Sequence, residues 1–127
     1  MSRANFLGGP AFFDLNHACR AVTDAFGYSC YLVGSALKRR DYRDVDVRCI
    51  LSDEDFDRLF SMEQSGLNAT YNARWSLLTV AISQWLSKRS GLPVDFQFQR
   101  RSDANIKFPG PRHALGIFIG NATDGRP

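Results

Sequence analysis

Apolar residues recur at helical spacing from about Asp14 to Phe26. Leu15, Ala18, Cys19, Val22, Ala25 and Phe26 share one face, and Gly27 ends the helix in the position that favours a residue without a Cβ. The pattern then changes. Ser29 to Val33 is a short run of mostly apolar, β-prone residues, and Val45 to Leu51 is a second one. Ser52 reads as a helix N-cap, with Asp53, Glu54 and Asp55 in the first turn, where carboxylates complement the positive end of the helix dipole. Ser52 and Asp55 resemble a capping box. Phe56, Leu59 and Phe60 form the buried stripe of that helix, and Gly66 to Asn68 breaks it. A longer helix follows from about Ala73 to Lys88. Trp75, Leu78, Ile82, Trp85 and Leu86 lie on one face and are expected in the core; Lys88, Arg89 and Gly91 close the helix. From Pro93 to Gln99 the period is two, with Val94, Phe96 and Phe98 alternating with Asp95, Gln97 and Gln99. Pro109, Gly110 and Pro111 make a turn, and His113 to Ile119 reads as a last, edge strand.

The predicted order is therefore helix, strand, strand, helix, helix, strand, strand. It specifies an α+β fold with a mixed β-sheet packed against helices. A length of 127 residues suits a single domain over residues 1–127, with no repeat, linker or low-complexity segment.

Composition narrows the class. The chain is 44% hydrophobic with ten phenylalanines, enough for a packed core. A net charge of +3 is compatible with an anionic ligand, but no run of like charge is long enough for a nucleic-acid tail. Cys19, Cys30 and Cys49 are odd in number, far apart and in apolar settings, which predicts buried free thiols and a reducing, cytoplasmic setting. There is no signal-peptide pattern, and no apolar stretch approaches the roughly 18 residues of a membrane span.

The candidate chemistry sits between Tyr31 and Cys49. In a strand, residues two apart share a face, so Asp44 and Asp46 project together while Val45 and Val47 face the core. Like charges about 6.5–7 Å apart repel by about 2 kcal/mol at an effective dielectric near 20. Folding does not require that cost, and a divalent cation held by oxygen ligands, such as Mg²⁺, would remove it. Asp95 faces away from the core side of its strand. If the second and third strands are neighbours, three carboxylates converge, as in-line phosphoryl or nucleotidyl transfer uses them. Gly34 allows close backbone approach to a phosphate, Ser35 offers a hydroxyl, and Lys38, Arg39, Arg40 and Arg43 lie in the connection before the acidic strand.

Gly34-Ser35, then Asp44-Val45-Asp46-Val47, then Val94-Asp95-Phe96 resembles the nucleotidyltransferase fold of the DNA polymerase β superfamily. That family's pattern is an apolar strand ending in Gly-Ser, a spacer of about ten residues, an Asp-x-Asp flanked by apolar residues, and a distal acid on another strand. The likeness covers Ser29 to Gln99. It implies a nucleotidyltransferase-like sheet in which Gly34 and Ser35 contact nucleotide phosphates with help from Arg39, Arg40 and Arg43. Asp44 and Asp46 would bind Mg²⁺, two ions in all, with Asp95 as the third acid. The implied reaction moves a nucleoside monophosphate from an NTP to a hydroxyl acceptor. Only 32 residues follow Asp95, fewer than the second, helical domain that many members carry. The resemblance is thus to a minimal member, of a kind that works as a homodimer or with a helical partner protein. The alternative it implies is a catalytically inactive module of the same fold that binds a partner protein or RNA.

Plainer readings stand beside these. Asp44 and Asp46 could flank a solvent-facing strand edge, paired with nearby arginines. Asp95 could be the polar side of an amphipathic strand, and Lys38 to Arg43 a solvated loop. His17 fits the exposed side of the first helix. His113 offers an imidazole near the C-terminal turn, where general-base work is the minority reading.

Overall fold

The computed structural model describes residues 5, 7–62 and 72–117. Helix α1 spans Gly9–Phe26, β1 Cys30–Val33, a 3-10 turn Gly34–Leu37, β2 Val45–Leu51, α2 Asp53–Leu59, α3 Ala73–Ser90, β3 Val94–Arg100, α4 Arg101–Lys107 and β4 His113–Leu115. The fold is α+β. Four strands form one mixed sheet in the order β3-β2-β1-β4, with β2 and β3 parallel and the other pairs antiparallel.

Most predicted elements appear close to their expected bounds. Ser52 accepts a hydrogen bond from the Asp55 amide, the cap expected of it, at 3.1 Å. Gly27 and Gly91 close α1 and α3 in the left-handed conformation. Helix α1 starts five residues before the apolar periodicity does, because Pro10 fits the first helical turn, where no amide partner is needed. Helix α2, expected to run on to a break at Gly66 to Asn68, ends already at Leu59, with Ser61 at φ 55°; Gly66 to Asn68 themselves lie outside the described residues. The last strand, expected to reach Ile119, stops at Leu115, where Gly116 takes a left-handed backbone at φ 81°.

Two further expectations are corrected. Trp85 is 37% exposed rather than core, because the buried side of α3 is set by Trp75 and Leu86; the Arg89 guanidinium covers its ring at 4.9 Å. The stretch after β3 is helical from Arg101 to Lys107. It has no apolar period of its own, and its N-terminus is capped from elsewhere: Asp53, the first residue of α2, accepts the Ser102 amide at 3.1 Å. Hydrogen bonding from Ser102, through its side chain and then this amide, lowers the Asp53 pKa from its ordinary value. One member of the acidic run after Ser52 therefore caps a different helix.

The core lies on one sheet face. Val45, Val47, Cys49 and Leu51 of β2 share it with Val94, Phe96 and Phe98 of β3, in register, and α1 and α3 pack over it. Phe98 touches Phe26, Phe60 and Phe96 in edge-on ring contacts. The three cysteines are buried and free, as expected, and Cys30 is in contact with both of the others. Arg100 continues the core-side alternation of β3. It is buried, its Nε and Nη2 both donate to Asp57 Oδ1 at 2.9 and 2.8 Å, and it lies over the Phe56 ring. This pair ties α2 to the end of β3.

Strand β3 is a sheet edge, and α3 covers it. Ser83 Oγ accepts the Phe96 amide at 2.9 Å and donates to the Phe96 carbonyl at 3.2 Å. Ser87 Oγ does the same for Val94, at 2.9 and 3.4 Å. Trp75 Nε1 donates to the Phe98 carbonyl at 2.9 Å. Four residues of helix rise about 6 Å and two residues of strand about 6.7 Å, so serines four apart on α3 meet alternate residues of β3. The helix thus takes the place of a neighbouring strand and satisfies an edge that would otherwise invite another chain.

Replacing Ser83 with alanine leaves a buried amide and a carbonyl without that partner, so Ser83→Ala should cost about 1–3 kcal/mol. Chemical denaturation checks this. The Ser83→Ala/Ser87→Ala double variant should lose more and gain a concentration-dependent tendency to associate.

Candidate functional site

The parallel register of β2 and β3 decides which side chains meet. Asp46 is paired with Asp95, and Arg48 with Gln97. Neighbouring strands are about 4.8 Å apart, so the two carboxylates are adjacent on the sheet face opposite the core. On the other side of β2, Asp46 is paired with Val33, the last residue of β1. The chain turns there through Gly34, at φ 79°, and the Asp46 carboxylate lies directly against the Gly34 Cα, where a Cβ would overlap Oδ2. Gly34 is thus needed twice: for a left-handed backbone and for the space the carboxylate fills.

Three influences act on Asp46. Burial raises its pKa above the ordinary 3.8, the Arg48 charge opposes that, and Asp95 and Asp44 push it up further. Asp44 precedes β2 by one residue and is exposed. The three acids named from the sequence are therefore electrostatically coupled, with Asp46 at the centre.

The central cation is Arg48, which the sequence reading did not single out. It is buried, with Nη2 at 3.5 Å from Asp95 Oδ2 and 3.9 Å from Asp46 Oδ1. Its Nη1 donates to the Asp95 carbonyl at 2.8 Å and to its own neighbour's carbonyl, Val47 O, at 3.0 Å. Phe108, just after α4, lays its ring over the guanidinium at 5.5 Å. Nε has no hydrogen-bond partner among the described residues. The available signal was the strand period: Arg48 lies two residues after Asp46, on the same face, one residue from Val47.

The basic residues of the connection are placed differently. Lys38, Arg39, Arg40 and Arg43 are exposed, and Arg39 pairs loosely with Asp41 at 3.6 Å. The Lys38 and Arg39 amides both return to the Ser35 carbonyl, which fixes the 3-10 turn. His17 is exposed and lies in a tilted ring contact with Phe13. His113 is half-buried, paired with Leu32 across β1–β4. Asn5 Oδ1 accepts the Leu7 amide, which turns Nδ2 toward His113 Nδ1 at 2.9 Å. On that geometry Nδ1 accepts and the ring proton is on Nε2; burial holds the imidazole below its usual pKa, in the neutral form.

Oxygen donors are the right chemistry for Mg²⁺, and Asp46 and Asp95 offer them side by side. The set is not closed around a cation as it stands: among the described residues no group of three or more His, Cys, Asp or Glu side chains could hold a metal ion. Arg48 supplies the positive charge between Asp46 and Asp95 in this arrangement.

No family model, curated protein or solved structure matches the chain.

Because folding raises the Asp46 pKa, the folded state holds that proton more tightly than the unfolded chain. Stability from this group is present at low pH and is lost as pH rises from the ordinary 3.8 through the raised folded value. Asp46→Asn should therefore melt higher than the parent at neutral pH without divalent cations. The two melting curves should converge below the ordinary carboxylate range. Arg48→Met should do the opposite, losing about 3 kcal/mol at neutral pH by leaving the carboxylates uncompensated. Its deficit should shrink on acidification in a pH series of thermal melts.

Proposed function

We propose that this protein is a Mg²⁺-dependent nucleotidyltransferase that moves a nucleoside monophosphate from an NTP to a hydroxyl acceptor. The observation that carries the reading is the in-register pairing of Asp46 with Asp95 beside Gly34. A like-charge pair with one member half-buried against a bare backbone Cα is costly for folding alone, and it is the arrangement this chemistry uses. Asp46 and Asp95, with Asp44 at the rim, would hold Mg²⁺, which supplies charge neutralisation at the transferring phosphoryl group. Asp95, the more exposed of the pair, is placed to orient or deprotonate the acceptor hydroxyl. Gly34 and Ser35 would meet the phosphates, with the exposed Arg39, Arg40 and Arg43 as counter-charges. Arg48 is a positioning residue: it holds the Asp95 backbone and side chain together and keeps Asp46 ionisable.

A second reading has its own support. Arg48 already offsets part of the acidic charge, and the carboxylates are not closed into a cation nest. Those features suit a catalytically silent module of the same fold that binds a partner protein or RNA.

Mg²⁺ and NTP together should stabilise the parent protein in a thermal-shift assay and should leave Asp46→Asn unmoved. Pyrophosphate release should then identify the productive NTP. Identical behaviour of the two proteins with every NTP would discard the enzyme and leave the binding module.

A further inference from the structure

The same sheet face carries a second feature. Ala114 of β4 is paired with Tyr31, and Tyr31 with Arg48, so Ala114 lies on the face that bears Asp46 and Arg48. Two strand spacings, about 10 Å, separate β4 from β2. At that distance a groove of about 570 Å³ opens between the end of the 3-10 turn and the start of β4. Leu37, Pro111 and Ala114 give it apolar walls, His113 adds an imidazole, and Lys38 and Arg112 add two cations. The size falls within the range of about 300–1,000 Å³ typical of small-ligand sites.

The groove is built rather than incidental. Arg112 is held in place by its Nη2, which donates to Asn105 Oδ1 at 2.7 Å and reaches the Phe108 carbonyl at 3.5 Å, while its buried Nε has no hydrogen-bond partner among the described residues. Phe108 is also the ring over Arg48, so one residue links the groove to the carboxylates. The strand beneath is fixed from α1: Asn16 accepts the Gly116 amide at 2.6 Å and donates to the Ile117 carbonyl at 2.9 Å. The 3-10 turn joins the two places, with Gly34 against Asp46 at one end and Leu37 and Lys38 in the groove at the other.

We infer that this groove seats the base of the nucleotide, with the phosphates directed along the 3-10 turn toward Gly34 and Asp46. Apolar walls suit a flat heterocycle, and two cations at one small site suit a ligand that is also anionic. The inference rests on the nucleotidyltransferase reading and adds to it a place for the group that distinguishes an NTP from its phosphates alone.

Equilibrium titration with Mg²⁺ separates the two ideas, using each of the four NTPs and inorganic triphosphate as probes. The parent chain should bind at least one NTP about tenfold or more tighter than triphosphate. Ala114→Trp, which fills the groove from an edge strand, should abolish that preference while leaving triphosphate affinity unchanged. Lys38→Glu, at an exposed position, should weaken the same NTP about tenfold with no change in melting temperature. An NTP preference that survives both substitutions, or equal affinity of NTP and triphosphate for the parent, overturns the groove assignment and leaves the nucleotidyltransferase reading standing. Failure of the parent to bind either probe overturns both.

Discussion

Parallel pairing of β2 with β3 forces Asp46 beside Asp95, and the surroundings of the site follow from that juxtaposition. Two carboxylates one strand apart, one of them half withdrawn from water, need compensation. Arg48 supplies it from the same face of β2, and a guanidinium suits the task because its flat fork reaches both acids and two backbone carbonyls at once. A buried arginine in turn needs cover, and the Phe108 ring gives it. Phe108 is delivered by α4, whose N-terminus is capped by Asp53 of α2. The electrostatic problem posed by one register is thus met by elements from three parts of the chain.

The register itself has to be protected, because β3 lies at the edge of the sheet and carries Asp95. Helix α3 supplies the missing ladder with side chains. Ser83 and Ser87 each satisfy both backbone groups of one β3 residue, and Trp75 satisfies a carbonyl further along. Arg100 and Asp57 pin the far end. A slip of β3 by one residue would exchange Asp95 for Phe96 on the site face and bury a carboxylate under α3. The bonds that close the edge therefore also fix which side chain meets Asp46.

The sequence made the acids legible and left their partner obscure. Asp44, Asp46 and Asp95 stand out because carboxylates interrupt strands that are otherwise apolar, and Gly34 because it ends one. Arg48 lies in the same strand at the same period, but a lone base in an apolar run is visible only once its neighbours across the sheet are known. Ser83 and Ser87 are hidden for a related reason: serine on a helix reads as polar surface unless a strand edge is known to lie beneath it. Trp85 lies outside the core although it shares the apolar face, because periodicity defines a face wider than the core it meets, and packing against α1 and β3 trims that face to Trp75 and Leu86. Helix α4 has no periodic apolar stripe, and it depends on a cap from a residue 49 positions away, which no local pattern records.

Charge counting sets a condition on the proposed chemistry. Asp44, Asp46 and Asp95 carry three negative charges and Arg48 one positive, a formal balance of −2. A single divalent cation would cancel that balance. A second would have no uncompensated acid to meet on the protein, and its ligands would have to include the phosphates that arrive with the nucleotide. On the nucleotidyltransferase reading, the buried arginine therefore ties the second ion to substrate binding. The same arginine would let the protein fold with no ion bound, because the acids would never be wholly uncompensated. It also explains how the carboxylates can stand adjacent without closing into a nest: the guanidinium between Asp46 and Asp95 must yield part of its contact before an ion can share both. The cost of that exchange belongs to the loaded state and not to the fold.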